Sequence, residues 1–385
     1  MKYIFVTANE RLDSGLIKSQ LISPVTEFLG KNSIFVNIHR PFGNSFRSKT
    51  FKTINIPILV PFRFINFTRL FFLNELLCFF YMCFLVLLVA FKKIEFTFVA
   101  RGYVPGLVCW FAQCLFGQRY IFDPRSLYIH EHLGAGNLEG SQICFKYWKW
   151  VEKRIVFRAE KTVCVSKGMS DYYKALSPER LLKTSIIPCF CEQANRPDSA
   201  CVSKIKESLG YNSQDLVIAY YGSLNTGWNN LEMYLEFFDK IKNYPFKMLI
   251  ISQDAESLKR SALKNYENIT VVNGDTFTDK GAASLLDVAD YGLVILKKSP
   301  DWKTRLSVKF AEYTSRGLPV IIGEYVGEAV RLKNKHGLVP STIIDKEFNV
   351  CDIRKSTSDE RQKIKSWAKI YFNKKNILHI KDFGK

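Results

Sequence analysis

The sequence predicts two α/β domains, each built on a doubly wound parallel sheet, and three observations carry that prediction. Short apolar, β-branched runs recur along the chain, helical stretches separate them, and one polar stretch divides the series in two. Parallel strands need a crossover connection, which is usually a helix, so this alternation favours parallel sheets. The 385 residues, 47% of them hydrophobic, are enough for two cores.

The first series opens with a strand over residues 2–8 and a helix over about 17–29. Its later strands are predicted at residues 33–38, 95–100, 119–122, 161–165 and 185–189, with helices at 105–116 and 141–159 between them. Residues 191–203, with Asn195 and Pro197, are typical of a linker.

The second series has strands predicted at residues 216–221, 247–251, 269–272, 291–296 and 320–322, and a helix at 231–241. We therefore expect a first domain over residues 1–196 and a second over 204–355. A basic helix, over about 359–385, is expected to pack back on the first domain.

The formal net charge of +19 favours anionic partners, which could be nucleic acid, an acidic membrane face or a phosphate-bearing substrate. The charge is spread along the chain without a long Lys/Arg run, so no nucleic-acid-binding arm is indicated. The ten cysteines contain no Cys-x-x-Cys pair, and the first residues do not form a signal peptide. We expect reduced thiols in the cytoplasm.

Residues 76–91 form an uncharged apolar segment, shorter than the roughly 18–20 residues of a membrane span. If this segment crossed a bilayer, strand 2–8 would be separated from the rest of its sheet. The segment is therefore interpreted as a buried or interfacial helix, with spanning as the alternative. Just before it, residues 63–69 interleave cations with aromatic rings. That pattern favours a surface on anionic headgroups over an ordinary solvated loop.

Several motifs are weak. Residues 134–140 resemble a dinucleotide loop, but the glycine spacing differs and no strand precedes them, which favours a flexible loop. The run His130-Glu131-His132 could offer metal ligands or a general base, yet no third ligand is apparent, which favours a pocket loop or an ordinary surface. The chain lacks the Asp-x-Asp that commonly holds a metal-bound sugar nucleotide, so we expect no metal.

The strongest pattern covers residues 291–322. A strand leads to a polar loop with four cations, and a helix is predicted from Ser307, which could cap it, to Arg316. Gly317 can supply the left-handed turn that ends the helix. A helix N-terminus beside cations suits a diphosphate, and Glu312 could accept hydrogen bonds from ribose hydroxyls. The alternative is an ordinary strand–helix–strand connection with a solvated helix.

Residues 307–321 carry more than these general features. Their sequence, S-V-K-F-A-E-Y-T-S-R-G-L-P-V-I, resembles the P-x-K-x-x-E-Y-x-x-x-G-x-P-V-I signature of glycosyltransferase family 4, which are retaining GT-B enzymes. Other stretches resemble family segments in the expected order, and they lie at residues 122–126, 152–169, 186–188 and 219–224. Together they cover nearly the whole chain.

The chain departs from the family pattern at three places. Thr304 stands where the first of two glutamates is usual, and Glu312 matches the second. The family's phosphate-binding lysine is missing from residues 225–228, and the first loop has one glycine, Gly15, where two are common. Arg305 and Lys309 are the candidates to replace the missing cation.

The resemblance implies a GT-B fold, in which two Rossmann-like doubly wound domains face a cleft. It places the nucleotide sugar on the second domain. The residues implied in donor binding are Gly15, Gly222, Ser223, Arg305, Ser307, Lys309 and Glu312. On the first domain it implies acceptor contacts from Gly15 and catalytic roles for Asp123, Arg125 and His130.

The function expected from the resemblance is metal-independent, retaining hexosyl transfer from a nucleotide sugar to a lipid-linked glycan in bacterial O-antigen, capsule or exopolysaccharide synthesis. No cofactor and no nucleic-acid partner are expected. The enzyme would be cytoplasmic and peripheral on the inner, anionic face of the plasma membrane. Two alternatives remain: a nucleotide-sugar epimerase of the same fold, and a non-catalytic basic protein that binds membrane or nucleic acid.

Overall fold

The computed structural model describes residues 2–8, 10, 12, 14–29, 33–39, 52–57, 79–80, 83–84, 87, 96–134, 143–176, 178–179, 181–191, 199–224, 231–274 and 285–381. The chain forms two compact units. The first combines Met1–Pro188 with Ser299–Thr304 and Lys374–Lys385. The second combines Cys189–Lys298 with Arg305–Asn373. The first unit is therefore built from three separate pieces of the chain.

The first unit is built on a seven-stranded parallel sheet with the order β3-β2-β1-β4-β5-β6-β7. Its strands are β1 Lys2–Ala8, β2 Ile34–His39, β3 Lys52–Pro57, β4 Phe96–Arg101, β5 Tyr120–Asp123, β6 Lys161–Cys164 and β7 Thr184–Ile186. Strands β4, β5 and β6 are buried at every position, as expected for the centre of a sheet covered on both faces.

The helices of the first unit are α1 Gly15–Ile17, α2 Tyr103–Phe116, α3 Tyr128–Gly134, α4 Ile143–Arg158 and α5 Lys167–Ala175. After α1 the chain continues in two π-helical turns, Lys18–Ile22 and Val25–Leu29. Helices α2 and α4 pack closely, since a Cβ on Gly106 would lie 3.0 Å from Ile155 Cγ2. The core between helices and sheet includes Phe98, Phe122, Trp148 and Ile155.

The second unit is built on a six-stranded parallel sheet with the order β10-β9-β8-β11-β12-β13. Its strands are β8 Leu216–Tyr221, β9 Phe246–Ser252, β10 Ile269–Asn273, β11 Tyr291–Val294, β12 Val320–Gly323 and β13 Thr342–Ile344. Its helices are α6 Ser199–Ser208, α7 Leu231–Ile241, α8 Ala255–Lys259, α9 Val308–Ser315, α10 Gly327–His336 and α11 Ser358–Tyr371. The predicted fold class, two doubly wound parallel sheets, is confirmed.

The structure differs from the sequence expectations at the ends of the second unit. Residues expected to belong to the linker are helical from Ser199, where α6 begins. The expected C-terminal helix is divided: α11 packs through Ala368 and Phe372 in the core of the second unit, with Trp367 beside them. The 3₁₀ turns of Lys374–Ile380 lie in the segment that belongs with the first unit. Strands β3 and β13 were not predicted.

Most of the apolar segment 76–91 and all of residues 63–69 lie outside the described residues. Five residues of the segment are described and are helical. Phe80, Phe84 and Leu87 are exposed, whereas Cys83 packs against the core of the first unit. Among the described helices, none is both long and apolar enough to cross a membrane.

Candidate functional site

Each sheet reverses its strand order at one point, which is where open α/β sheets bind ligands, beyond the carboxyl ends of the strands. In the second unit this point lies between β8 and β11. Strand β8 is followed by Gly222 and Ser223, and β11 leads through a loop to helix α9, which carries Lys309 and Glu312. The sheet topology thus brings four of the predicted donor-binding residues to one position.

Gly222 is closely approached by Lys309. A Cβ at Gly222 would lie 2.8 Å from Lys309 Cε, and the backbone at Gly222 has φ 132°, which side-chain-bearing residues rarely adopt. Lys309 Nζ lies 5.4 Å from the centroid of the Tyr220 ring, within the range of a cation–π interaction. The backbone angle therefore favours glycine at 222, and a larger residue there would also displace the end of the Lys309 side chain.

Lys309 and Glu312 are half-buried, one turn apart on α9. Among the described residues, neither forms a hydrogen bond or an ion pair within 4.0 Å. Burial raises the pKa of Glu312 to about 7, against the opposing effect of the nearby Lys309 and Arg316 charges. Burial also lowers the pKa of Lys309, opposed by Glu312. Charged groups enclosed without partners are costly, and a ligand that supplies partners removes that cost.

Helix α9 begins and ends close to the predicted positions. Ser307 occupies the N-cap with an extended backbone, but its side chain makes no capping hydrogen bond. Gly317 has φ 75°, and a Cβ there would lie 2.6 Å from the Arg361 carbonyl oxygen. The left-handed turn and Pro319 end the helix before β12.

Two other predicted donor-binding residues are already engaged by protein groups. The Ser223 hydroxyl donates to Asp254 Oδ2 at 2.5 Å. Arg305 Nη1 donates to the Lys297 carbonyl at 3.1 Å, and the Arg305 carbonyl accepts from the backbone N–H of Glu328 at 3.0 Å. Protein contacts thus position both side chains beside the reversal of strand order between β8 and β11, which is called the β8–β11 point below.

Thr304, which stands where a glutamate is usual, has a structural role in the first unit. Its side chain is buried, its hydroxyl donates to the Asp301 carbonyl at 2.9 Å, and its own carbonyl accepts from the Ser166 hydroxyl at 2.7 Å. Ser166 is the N-cap of α5 and accepts from the Met169 N–H. A Cβ on Gly168 would lie 2.4 Å from the Lys303 carbonyl oxygen.

In the first unit the strand order reverses between β1 and β4, and charged residues gather there. Arg101, the last residue of β4, is buried, and its Nε lies 3.0 Å from Glu10 Oε1, just beyond β1. Arg101 Nη1 lies 3.4 Å from Asp123 Oδ2 at the end of β5. Asp123 Oδ1 is buried and has no hydrogen-bond partner among the residues that the structure describes, and Arg125 Nη1 is 3.7 Å from it.

Arg125 has φ 60°, the only non-glycine residue with positive φ in the described part of the chain. Such a backbone costs on the order of 1 kcal/mol for a residue with a side chain, and strain of this kind is concentrated at functional positions. The turn brings Arg125 back toward Asp123, so the structure places these two predicted residues together.

His130 lies on α3 and connects to a buried network. Its Nε2 lies 3.2 Å from the Tyr172 hydroxyl, which donates to Glu152 Oε2 at 2.8 Å. Because that hydroxyl has one proton, its oxygen can only accept from His130, so Nε2 carries the proton. Burial lowers the pKa of His130, as does Lys149, opposed by Glu152 and Asp301. The lowered pKa favours the neutral imidazole at pH 7, and in the described part of the chain Nδ1 is buried without a hydrogen-bond partner.

Glu152 is the centre of this network and is fully buried on α4. Its carboxylate accepts from the hydroxyl of Tyr103 at 2.6 Å, from the hydroxyl of Tyr172, and from the Lys149 ammonium. The Tyr103 hydroxyl also lies 3.1 Å from that of Tyr173. Three protein donors thus satisfy a charge that burial would otherwise make very costly.

The other residues singled out in the sequence make fewer contacts. Gly15 begins α1 after the N-cap Ser14, and in the described part of the chain nothing would touch a Cβ placed there. His132 packs against Tyr128 with ring centroids 4.3 Å apart. Among the described residues, no group of three or more His, Cys, Asp or Glu side chains could hold a metal ion. Residues 135–140 and 225–228 lie outside the described part.

Sequence reasoning missed Arg101, Glu10, Tyr172 and Lys149. Arg101 could have been found, because it ends an apolar run that is typical of a central parallel strand. The carboxyl end of such a strand is a usual place for a ligand-binding residue. Tyr172 and Lys149 show no such signal, since an i, i+3 Lys–Glu pair on a helix is usually a surface feature.

No family model and no curated protein sequence matches this chain. Solved structures do match over nearly the full length. HepE from Anabaena in complex with UDP has a TM-score of 0.70 at 13% identity, covering 99% of both chains. Sucrose-phosphate synthase from Thermosynechococcus elongatus has a TM-score of 0.66 at 14% identity, covering 99% of this chain and 98% of the other. WaaG, a glycosyltransferase involved in lipopolysaccharide biosynthesis, has a TM-score of 0.63 at 11% identity, covering 100% of both. The chain therefore has the two-domain, Rossmann-like GT-B fold.

Proposed function

We propose that this protein is a glycosyltransferase that moves a sugar from a nucleotide-sugar donor to an acceptor hydroxyl. The observation that carries the proposal is the pair Lys309 and Glu312, which are half-buried beyond the carboxyl ends of β8 and β11. Among the described residues, neither has a hydrogen-bond or ion-pair partner, and the ammonium of Lys309 lies over the Tyr220 ring. A nucleoside diphosphate supplies both missing partners, because its phosphates are anionic and its ribose offers hydroxyl donors.

The fold of the chain supports this assignment as an analogy. HepE has structures in complex with UDP and with UDP-glucose, and WaaG is a glycosyltransferase. At 11–13% identity these likenesses describe the fold, so the activity rests on the residues at the β8–β11 point.

In the proposed reaction the acceptor oxygen bonds to the anomeric carbon as the bond from that carbon to the diphosphate breaks. The acceptor proton passes to the departing diphosphate, on the same face of the sugar, so the anomeric configuration is retained. Lys309, with Arg305 beside α9, stabilises the charge that develops on the leaving group, as do the N–H groups that begin α9 at Ser307. Glu312 accepts hydrogen bonds from the ribose hydroxyls.

The first unit provides candidate groups for the acceptor. Asp123 Oδ1 and His130 Nδ1 are acceptor atoms that receive no hydrogen bond from the described residues, and Arg125 forms an ion pair with Asp123 Oδ1. In this proposal they orient the acceptor hydroxyl, and Gly15 adds the acceptor contact that the family resemblance implies. Orientation of the two reactants lowers the barrier because their relative freedom is removed before the reaction.

We further propose membership of glycosyltransferase family 4 and a lipid-linked glycan acceptor in bacterial O-antigen, capsule or exopolysaccharide synthesis. The family signature at residues 307–321 and the net charge of +19 support this, since lipid-linked glycans are made at anionic membrane faces. Neither a metal nor a cofactor takes part in this proposal, because Lys309 and Arg305 supply the positive charge.

The first test is a thermal-shift and calorimetric screen of nucleoside diphosphates, followed by turnover of the matching nucleotide sugars with a polyprenyl-diphosphate-linked oligosaccharide. We expect one base to bind and its sugar nucleotide to be consumed with retention. Lys309→Met should abolish the shift, whereas Lys335→Met, on an exposed position of α10, should preserve it. Absence of binding and turnover across the panel would overturn the proposal. Isomerised donor without acceptor would identify an epimerase instead.

A second test concerns the metal. The purified protein is assayed in EDTA and then with Mg²⁺ or Mn²⁺ restored. We expect turnover to persist in EDTA within about twofold, because two side-chain cations already face the diphosphate position. Strict dependence on a divalent ion would refute the metal-independent mechanism.

A further inference from the structure

We infer that the exposed faces of helices α2 and α4 form a docking surface for an anionic lipid bilayer. The inference rests on the membrane association proposed above and does not depend on the transfer reaction. It is drawn from the two helices themselves, which are separate in sequence from the segments 63–69 and 76–91.

The two helices run antiparallel, so the C-terminal end of α2 lies beside the N-terminal end of α4. Near one end, Gly106 of α2 approaches Ile155 of α4. Further along α2, the rings of Trp110 and Trp150 are 6.1 Å apart at their centroids. Residue numbers therefore increase along α2 in the direction in which they decrease along α4. The last turn of α2 thus lies beside the first turn of α4.

Large apolar side chains are exposed at this shared end. The exposed fractions are 56% for Leu115, 57% for Phe116, 70% for Ile143 and 41% for Trp150. Helix α2 itself contains no charged residue. Exposed apolar side chains that cluster on two packed helices, rather than standing alone, are typical of an interaction surface.

Cations lie on the same exposed face of α4. Lys146, Trp150 and Lys153 recur at intervals of four and three, with Arg154 beside them, whereas Trp148, Val151, Glu152 and Ile155 are buried on the other face. The only acidic residue of α4 is the buried Glu152, so its exposed face carries positive charge alone. The Arg154 guanidinium lies 4.2 Å from the centroid of the Trp150 ring, which keeps ring and cation on one patch.

This chemistry fits an anionic bilayer better than the other partners. Headgroup phosphates pair with the cations, while the acyl region accepts the rings and aliphatic chains. A nucleic acid would satisfy the cations but offers no apolar region to Leu115 and Ile143. A second copy of this chain would place like charges opposite each other, which is unfavourable.

The test is co-sedimentation of the full chain with vesicles of phosphatidylglycerol and phosphatidylcholine, compared with phosphatidylcholine alone. Wild-type protein should bind the anionic vesicles. The variant Lys146→Glu/Lys153→Glu/Arg154→Glu should bind at least about 100-fold more weakly, since the loss of each cation costs about a factor of five and the new carboxylates are repelled by the anionic surface. The matched control is Lys240→Glu/Lys346→Glu/Lys363→Glu, which changes the net charge equally on exposed positions of the second unit.

A second variant, Leu115→Ser/Phe116→Ser, separates lipid from nucleic acid. It keeps every cation, so vesicle binding should fall at least fivefold while any RNA binding stays unchanged. Equal losses in the surface variant and the matched control would overturn this surface, because bulk charge would then explain the binding. No binding of wild-type protein to anionic vesicles would overturn the membrane association as well, whereas the nucleoside-diphosphate screen would be unaffected.

Discussion

The two units each enclose a glutamate on a helix, and they treat it differently. In the first unit Glu152 is fully buried and accepts from two tyrosine hydroxyls and a lysine. In the second unit Glu312 is half-buried, has no hydrogen-bond partner among the described residues, and its pKa is raised to about 7. A charge satisfied by the protein is part of the fold, whereas a charge left unsatisfied at a strand-order reversal is available to a ligand.

The largest expected effect follows from removing the satisfied charge. Glu152→Ala removes the carboxylate that accepts from the Lys149 ammonium and from the hydroxyls of Tyr103 and Tyr172, so stability should fall by about 3–5 kcal/mol. The Tm of the first unit should drop accordingly in calorimetry. Asp171→Asn, at an exposed carboxylate on α5 paired with Lys167, is the control and should change stability by less than about 1 kcal/mol. A small effect at Glu152 would show that the two glutamates do not differ as described.

Glu312→Gln should affect ligand binding rather than stability. Its Tm should not fall, yet affinity for the nucleoside diphosphate should drop about 10–100-fold, since hydrogen bonds to a charged group contribute about 1.5–3 kcal/mol. Calorimetric titration of the wild type and the variant measures this difference. Unchanged affinity in a folded variant would remove the ribose-binding role.

The raised pKa of Glu312 gives a pH-dependent effect. The folded state holds this proton up to about pH 7, above the usual carboxyl range, so the stability that it contributes is present at low pH and is lost as pH rises through 7. Relative to wild type, Glu312→Gln should therefore gain on the order of 1 kcal/mol between pH 5 and 8. Parallel Tm–pH curves for the two proteins would contradict the burial of Glu312.

The smallest effect is expected for Tyr172→Phe, which removes one of the three donors to Glu152 and the acceptor of His130. Tyr172 is half-buried, so the hydrogen bonds that His130 and Lys149 donate to its hydroxyl can pass to water. The net loss of stability should then be close to that of the one bond to Glu152, about 0.5–1.5 kcal/mol. The NMR signals of His130 should also change, because its Nε2 proton is no longer held. A wild-type spectrum for His130 in this variant would show that Tyr172 does not fix the tautomer.

The sheets could be predicted from sequence because buried parallel strands are apolar without interruption. Strands β1 and β8 lie where the pattern predicted them, and helix α9 differs by one residue at each end. Strand β3 was missed because Lys52–Pro57 contains a lysine, an asparagine and a proline, which are typical of an edge strand.

The candidate site could be predicted only in part. Lys309 and Glu312 follow from the helix after β11, but the closeness of Gly222 to Lys309 depends on β8 and β11 being neighbours. Strand order does not follow from alternation alone. The network around Glu152 joins residues from 103 to 173, and contacts of that separation have no local signature in sequence.

The first unit is discontinuous in the chain, because the segments Ser299–Thr304 and Lys374–Lys385 belong to it although the second unit separates them from residues 1–188. During synthesis, the first 188 residues emerge before the segment that accepts from Ser166 and before the carbonyl of His379 that accepts from Lys161. The first unit therefore cannot complete its contacts until the residues of the second unit have been synthesised, although domains usually fold in order of synthesis. A fragment cut at residue 196 lacks both segments. A chimaera that takes its first unit from a related chain would therefore need all three segments of that unit from the same chain.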